Sequence, residues 1–397
     1  MTMSSAPPTT PRLLIAGAGF GGLTAARRLR KLLPRAEITL VAPQDEFQYL
    51  PSLIWIPTGL RQGPELRHRI TPMLSRLRVR YLQAAATGLD PAERVLRTTA
   101  GDVPYDALVI ATGGAWLKSL PGANGVYGVC DGVDAALQVR ERLQRLLRTG
   151  GGRIALSFGT NPKEPGALRG GPVFEMLFGL DTWLRRQGVR DKFELIFFHA
   201  STMPGQRLGE SAVKMLLARM QRQGIRTVLG KKLAGFDDQN VQLDANETIA
   251  SDLTLFIPGM RGQDWFANTS LELSAGGFVQ SDGLCRTSAP DVYVVGDAGS
   301  YPGPDWLPKQ AHMADLQAHA VARNIADVLG GRAPSHKPRP ELVCIVDSID
   351  SGVLVWRSRQ HNFMFANRWL HHAKRAFEWY YLRDLRAAEA SAMTASA

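Results

Sequence analysis

The sequence predicts an α/β protein built on parallel sheets, and three stretches carry that prediction. The first is Arg12-Leu13-Leu14-Ile15-Ala16-Gly17-Ala18-Gly19-Phe20-Gly21-Gly22, an apolar run that opens into Gly-x-Gly-x-x-Gly at Gly17, Gly19 and Gly22. Helix-forming Ala25, Ala26, Arg27 and Leu29 follow at once. The second is Asp106-Ala107-Leu108-Val109-Ile110-Ala111-Thr112-Gly113, an apolar strand ending in small residues. The third is Asp291-Val292-Tyr293-Val294-Val295-Gly296-Asp297, which stops on Gly-Asp. A strand, a glycine-rich turn and a helix in that order form a dinucleotide site. One glycine allows the tight turn, one lets backbone approach a pyrophosphate, and one lets helix and strand pack closely. The helix N-terminus then offers free N–H groups and partial positive charge to the phosphates. A strand ending in Gly-Asp places a carboxylate at the carboxyl edge of the sheet, where ligands of open parallel sheets bind.

Taken in order, residues 12–45 read as strand, helix, strand. The strand Glu37-Ile38-Thr39-Leu40-Val41 ends in Ala42-Pro43, where NAD folds place a ribose-binding acid; the nearest acids, Asp45 and Glu46, come slightly late. Residues 46–75 carry Pro51, Pro57, Pro64 and Pro72 and read as loop with short helices. Alternation from Val79 to Thr99 suggests a small antiparallel element, and Asp102 to Thr112 returns to the parallel sheet.

Leu120-Pro121-Gly122 marks a domain crossing, followed by an amphipathic helix over Val133–Leu147 and a strand at Gly151–Gly159. A second nucleotide-binding turn belongs after that strand. Thr160-Asn161-Pro162-Lys163-Glu164-Pro165-Gly166 stands there instead, and its prolines cannot turn into a phosphate-binding helix. Helix is expected at Val173–Gln187, strand at Phe193–His199, helix at Ser211–Gln223 and β alternation from Ile225 to Ile257. A helix follows over Gln310–Leu329, then a linker to Pro340 and two short strands at Leu342–Val346 and Val353–Trp356. In Phe363–Arg386, Ala366, Trp369, Leu370, Ala373, Phe377, Tyr380, Tyr381 and Leu385 recur at helical spacing. Arg368, Lys374, Arg375, Arg383 and Arg386 fall elsewhere. The fold expected is two Rossmann-like dinucleotide-binding domains, the second inserted in the first, with a C-terminal amphipathic helical segment. Its divisions are a disordered 1–11, a first domain over 12–117 and 276–335, a second over 118–275, and a closing segment over 336–397.

The chain has 397 residues, 45% of them hydrophobic, which is globular and not disordered. Forty-seven Lys and Arg against 36 Asp and Glu give a net charge of +11. No nucleic-acid recognition motif accompanies that charge. An anionic membrane surface suits it better, because the closing segment is both basic and aromatic. Three cysteines, Cys130, Cys285 and Cys344, are too few for a disulfide scaffold and too scattered for zinc. His312, His371 and His372 lack ligand company, so no metal site is expected. No apolar run reaches the ~18 residues of a bilayer span. The opening residues lack the blocks of a signal peptide. The location expected is cytoplasmic, peripheral on the inner face of the membrane.

Beyond these patterns, the chain resembles the sulfide:quinone oxidoreductases and the flavin subunit of flavocytochrome sulfide dehydrogenases, within the flavoprotein disulfide-reductase superfamily. The matching pieces are Phe47-Gln48-Tyr49-Leu50-Pro51-Ser52, Gly171-Pro172-Val173-Phe174-Glu175, Pro308-Lys309-Gln310-Ala311-His312-Met313 and the tail Arg368 to Glu378. They span about residue 12 to 386. The resemblance implies FAD as cofactor, with Asp297 at its ribityl chain. The binding residues expected are Gly17, Gly19, Phe20, Gly21, Gly22, Ala42, Pro43, Pro51, Ala111, Thr112, Gly113, Gly296, Asp297 and Lys309.

In the resembled enzymes a cysteine pair receives sulfide. Cys344 matches one member, but Arg169 stands where the other belongs. A persulfide would then have to form on Cys344 alone or through Cys130, which matches a third family cysteine. The alternative for both thiols is inert packing. To react, Cys344 must be a thiolate, its ordinary pKa of ~8.5 lowered by a cation such as Arg169 or Lys309. An arginine there favours an anionic donor over neutral hydrogen sulfide. Glu175 matches a carboxylate near flavin and quinone, suited to proton delivery if its pKa is raised. Lys309 matches a lysine facing the flavin, and Leu50 replaces a flavin-linking cysteine, which excludes attachment by that route and leaves a link through Cys130 open. Ile345, Trp369 and Phe377 are expected on the quinone side.

The function expected is an FAD-dependent oxidoreductase passing two electrons from a small reduced-sulfur donor to a membrane quinone; a homo-oligomer is left open. The alternatives are an NADH:quinone dehydrogenase, disfavoured by the missing second glycine-rich turn, and a flavin-bearing redox sensor or binding protein without sulfide turnover.

Overall fold

The computed structural model describes residues 10–128 and 130–396; residues 1–9 of the Pro/Ser/Thr-rich opening lie outside them. The chain begins with β1 (Arg12–Ala16), α1 (Phe20–Leu32) and β2 (Glu37–Ala42), with β2 parallel to β1 from Arg12↔Glu37 to Ala16↔Val41. The glycine-rich turn between β1 and α1 is tight in the way its residues require. A Cβ on Gly22 would lie 2.0 Å from the Gly17 carbonyl oxygen, and one on Gly17, at φ +110°, 2.3 Å from that of Ala111.

After short helical turns comes α2 (Thr71–Arg76), and then β3 (Val79–Gln83), which pairs parallel with β2 from Ile38↔Val79 to Ala42↔Gln83. This corrects the expectation of an antiparallel element starting at Val79. An edge strand of a parallel sheet is half-exposed and alternates too, so alternation does not separate the two cases. The antiparallel unit is β4 (Ala86–Asp90), β5 (Val95–Thr98) and β6 (Gly101–Pro104), after which β7 (Ala107–Ile110) joins β1.

The second parallel sheet is built from α3 (Val133–Arg148), β8 (Gly152–Phe158), α4 (Gly171–Arg186), β9 (Phe193–His199), α5 (Glu210–Arg222) and β10 (Arg226–Leu229). A small antiparallel unit follows, β11 (Leu233–Phe236), β12 (Asn240–Leu243) and β13 (Thr248–Ala250). β14 (Leu253–Ile257) then completes the parallel sheet in the order β10-β9-β8-β14. Next, β15 (Val292–Val294) returns to the first sheet beside β7 through Val292↔Leu108, so Gly296 and Asp297 emerge next to Ala111 and Thr112. α6 (Ala311–Leu329) lies against α1, where the Thr24 hydroxyl donates to Asp315 at 2.6 Å.

The chain closes with an antiparallel sheet and a helix: β16 (Leu342–Asp347), β17 (Gly352–Arg357), β18 (Asn362–Asn367) and α7 (Trp369–Ser396). The third strand corrects the sequence reading, which ran a helix from Phe363. In β18, Phe363 and Phe365 face the same way two apart, a spacing that the helical reading of the segment overrode. The face assignment of α7 also changes. Its buried stripe is His371, Lys374, Glu378, Leu382, Leu385 and Ala388, and its exposed side carries Trp369, Phe377, Trp379 and Tyr380. The first half of α7 therefore turns charge inward and aromatics outward, and Lys374 points to the core. The second half is an ordinary apolar stripe in the core around Leu23, Leu29 and Phe47. No helix of the described residues is long and apolar enough to cross a membrane.

Leu385 is fully buried in that core, and truncating such a leucine costs about 2–5 kcal/mol. Leu385→Ala should lower the urea midpoint and open α7 to limited proteolysis; an unchanged midpoint and digest would show that this stripe does not hold the helix down.

Candidate active site

Three strand ends of the first sheet meet at its carboxyl edge: the Gly17–Gly22 turn, Ala111–Gly113 and Gly296–Asp297. Between them lies a crevice. A Cβ placed on Gly19 or Gly113 would meet nothing within 4 Å, in contrast to the crowded Gly17 and Gly22. The buried Thr112 hydroxyl and the side-chain amide oxygen of Gln310 have no hydrogen-bond partner. Leaving such groups unmet costs about 1–3 kcal/mol each, so a polar ligand between β7 and the start of α6 suits the crevice. A dinucleotide fits this donor set, with N–H groups at the α1 N-terminus for the pyrophosphate. Phe20, at that N-terminus, packs edge-on against Phe47 with ring centroids 5.1 Å apart. Ala42 is buried, Pro43 exposed and Pro51 partly buried in the short helical turn Leu50–Trp55. The late acids are engaged elsewhere: Asp45 accepts from Thr71 N at 2.8 Å and the Thr71 hydroxyl at 2.7 Å, and Glu46 accepts from Gln48 at 2.6 Å.

The loop after β8 explains what becomes of the second nucleotide turn. Twelve residues separate Phe158 from the start of α4 at Gly171. The loop is pressed onto its neighbour, since a Cβ on Gly259 would lie 2.3 Å from the Thr160 carbonyl carbon. Asn161 fastens it by donating to the Met260 carbonyl at 2.9 Å. The loop then carries Arg169 into the first site, where its guanidinium pairs with Asp297, hydrogen-bonds the Cys130 thiol and lies 5.7 Å from the Trp116 ring.

The three thiols are free. Burial pushes Cys130 up to about 11, and Arg169 offsets this only in part. Cys344, on β16 opposite Val355, lies against the α4 N-terminus, its Sγ 3.5 Å from where a Cβ on Gly171 would sit. A helix N-terminus favours a thiolate, yet burial and the nearby Glu175 push Cys344 up to about 12. The expectation that Arg169 or Lys309 would lower it is therefore corrected. Arg169 serves Asp297 and Cys130, and the cation acting on Cys344 is Lys374. Cys285 is buried among the strands of the first sheet, its thiol raised by desolvation.

Glu175 heads a buried polar seam that the sequence reading missed. Its carboxylate pairs with Lys374 and accepts from the Asp347 backbone N–H at 3.3 Å. Asp347 in turn accepts from Trp55 Nε1 at 2.6 Å and pairs with His371 Nδ1 at 2.9 Å. Burial raises Glu175 to about 7 despite Lys374. Burial also opposes the charge on Asp347, but its hydrogen bond with His371 and the charge of Lys374 hold it below the usual carboxylate range. One signal for this seam was available: His371, Lys374 and Glu378 continue the spacing of Leu382 and Leu385 along one helix face.

Lys309 is half-buried, its Nζ 3.7 Å from the Phe278 ring centroid, and donates to the Gly299 carbonyl at 2.7 Å. Desolvation lowers it to about 8. Together with Asp297 it borders a cavity of about 700 Å³ that reaches across to Phe158 and His199, at the ends of β8 and β9. Ile345 is half-buried on β16, whereas Trp369 and Phe377 stand on the exposed side of α7.

Residues 11–318 match the family model described as pyridine nucleotide-disulphide oxidoreductase. The chain belongs to that family. Among its relatives, the sulfide-quinone reductase of Aquifex aeolicus is 25% identical over 94% of this chain and 91% of its own length. A type II NADH:quinone oxidoreductase of Staphylococcus aureus is 21% identical over 81% of this chain and 83% of its own. The crystal structure of the Aquifex aeolicus sulfide:quinone oxidoreductase superposes with a TM-score of 0.87 at 22% identity, covering 96% of this chain and 92% of that one. NDH2 from Plasmodium falciparum gives 0.74 at 11% identity, covering 96% of each. This pyridine nucleotide-disulphide oxidoreductase is an FAD-dependent enzyme, and the open space at Gly19 agrees with that cofactor.

Gly17→Val should abolish flavin retention, since its side chain would run into the Ala111 carbonyl. The ratio of flavin to protein absorbance measures this, with circular dichroism checking the fold. A variant that keeps its full yellow colour would remove the glycine turn from the cofactor site.

Proposed function

We propose that this protein passes two electrons from a reduced sulfur donor, through FAD, to a membrane quinone. Bound flavin supplies the two-electron redox chemistry; the chain's own residues bind, orient and move protons. The observation that supports the reading best is the seam Glu175–Lys374 with Asp347–His371, because it links α4, β16 and α7 beneath a helix whose outer side is aromatic. Quinone reduction consumes two protons, and Glu175, raised to about 7, can hold one in a site closed to bulk water. Asp347 and His371 lie next along a route towards α7.

The outward Trp369, Phe377, Trp379 and Tyr380, with Phe363 and Phe365 on β18, form an apolar surface beside Arg368, Arg375 and Arg383. Aromatics at headgroup depth and arginines on anionic lipid are what a peripheral helix offers a membrane. We place the quinone entrance there, near Trp369, Phe377 and Ile345, and the protein on the cytoplasmic face of the membrane. Within residues 336–397 we assign the lipid-facing role to β18 and the first half of α7. On the donor side, Cys344 is the thiol nearest Glu175 and Cys130 the one beside Arg169. Both are protonated at neutral pH by their surroundings, so a donor that arrives as an anion answers the lack of a ready thiolate. NADH is the weaker donor candidate, because the loop with Asn161 fills the place of its phosphate cradle.

Anaerobic mixing with sulfide, polysulfide, thiols and NADH, followed by a quinone, tests the assignment. Bleaching by a sulfur donor and reoxidation by quinone are expected. Bleaching by NADH alone would overturn the donor class, and bleaching without reoxidation would make the protein a sensor.

Two further outcomes follow from the seam and the helix. Below about pH 7 Glu175 keeps its proton and above it loses it, so the rate of quinone reduction should fall as pH rises through that value. Glu175→Gln should slow that step about 10²- to 10⁴-fold, the usual worth of a positioned proton donor, and remove the falling limb; an unchanged profile would exclude Glu175 as donor. Replacing Trp369, Phe377 and Trp379 together by serine should release the protein from anionic liposomes in a flotation assay while flavin content stays constant, and retained flotation would exclude this face.

A further inference from the structure

The amino-terminal edge of the first sheet, opposite the flavin crevice, carries a patch of charge that the redox chemistry does not use. It gathers the last turns of α1 and α2 and the starts of β2 and β3. Arg30 is its centre. Its guanidinium donates to the carbonyls of Pro34, Ala36, Leu77 and Arg78 at 2.7 to 2.9 Å, which fastens the α1–β2 turn to the α2–β3 turn. Lys31, Arg35, Arg76, Arg78 and Arg80 are exposed around it. None of the six forms an ion pair with a carboxylate among the described residues. Arg76 and Arg80 turn instead to neutral oxygens, the Ala387 carbonyl at 2.8 Å and the Thr39 hydroxyl at 3.3 Å. Carboxylates of the neighbouring segments serve other groups: Asp45 takes Thr71 and Arg69, Glu389 takes His68 and the Arg69 N–H, and Glu37 stands beside Arg12. Like charges are also held close against resistance. Arg78 adopts φ +51°, a conformation that suits Gly or Asn after a helix, and burial together with Arg78 lowers the pKa of Arg30.

The patch is joined to the closing helix. Arg76 crosses to α7, where it donates to the Ala387 carbonyl and the Ser391 hydroxyl. Trp369 and Ala387 are eighteen residues apart, five whole turns, so they stand on one line along α7, about 27 Å from each other. Both are exposed. The outer side of α7 thus runs from the aromatic group around Trp369, past exposed Arg383, to Arg76 and the patch. Leu32, between Lys31 and the Pro34 turn, is exposed as well. An apolar side chain among cations suits the boundary of a lipid layer, where headgroup phosphates and acyl chains lie side by side.

We propose that this patch is a second membrane contact, a surface for the headgroups of anionic phospholipids at the far end of α7 from its aromatic group. The proposal rests on the peripheral-membrane reading and extends it. Aromatics at one end and arginines at the other give two points of attachment, which lay α7 along the surface and fix how the protein sits on it. Arginine forks match phosphate oxygens bidentately, and exposed cations gain most where the leaflet itself is anionic.

The test is sedimentation of the flavin-loaded protein with vesicles of phosphatidylcholine alone and of phosphatidylcholine mixed with phosphatidylglycerol. Tighter binding to the mixed vesicles is expected. Each Lys or Arg near an anionic leaflet is worth roughly fivefold in partitioning, so Lys31→Glu, Arg35→Glu and Arg78→Glu together should weaken that binding at least tenfold. Binding to the neutral vesicles and flavin content should stay constant. Should this variant fail to fold, Lys31→Gln with Arg35→Gln, on two exposed side chains, decides. Equal binding of the unaltered protein to both vesicles, or an anionic preference that the substitutions leave intact, would overturn the proposal. So would release from mixed vesicles by inorganic phosphate but not by chloride of equal ionic strength, which would mark a free-phosphate site. Duplex DNA bound through these residues without any preference for anionic vesicles would overturn it too. A protein that binds both vesicles alike loses only this inference, whereas one that binds neither loses the membrane reading with it.

Discussion

The buried pair of Glu175 and Lys374 is the contact on which the rest of the arrangement depends. It joins α4 of the second sheet to α7 at the end of the chain, with Asp347 of β16 tied in through its backbone N–H. Two charges taken out of water stay there only if they are well matched, and removing one partner of such a pair costs about 3–5 kcal/mol. Here the match includes Trp55 and His371 on Asp347. Because those polar groups hold the first half of α7 down by its charged side, its aromatic side is left facing outward. An ordinary amphipathic helix would bury the aromatics. The inversion is thus a consequence of the seam.

The second constraint is the loop between β8 and α4. In a doubly wound sheet this is where a phosphate would sit on a helix N-terminus. The chain spends that position differently: Asn161 anchors the loop and Arg169 crosses to Asp297 and Cys130. The loop therefore brings a cation, Arg169, to the carboxyl edge of the first sheet. The cleft that remains at the strand ends is bordered by Arg207 and Arg357.

At Cys344, Glu175 and Lys309 burial outweighs the neighbours, whereas at Asp347 the neighbours outweigh burial. Cys344 has a helix N-terminus and Lys374 nearby, yet its thiol rises, because desolvation and Glu175 outweigh both. Glu175 rises despite its lysine, and Lys309 falls despite Asp297 and Glu164. Each shift moves its group towards neutral water's pH or towards the uncharged form, which suits proton handling better than fixed charge.

The sequence by itself determined the parallel sheets, the glycine turn and the Gly296-Asp297 strand end, because these depend on local period and on glycines that only one backbone path accepts. The missing second turn was equally legible, since Thr160–Gly166 lacks the Gly-x-Gly-x-x-Gly spacing and carries Pro162 and Pro165 in its place. Only the tertiary structure decided that Val79–Gln83 joins the parallel sheet, that β18 precedes α7, and that Lys374 points inward. Each of these turns on which partner covers a face, and alternation or helical spacing records that a face differs, not which side is buried. The same limit hid the seam: Trp55, Glu175, Asp347 and the His371/Lys374 face of α7 are far apart in the chain and meet only because four elements pack together.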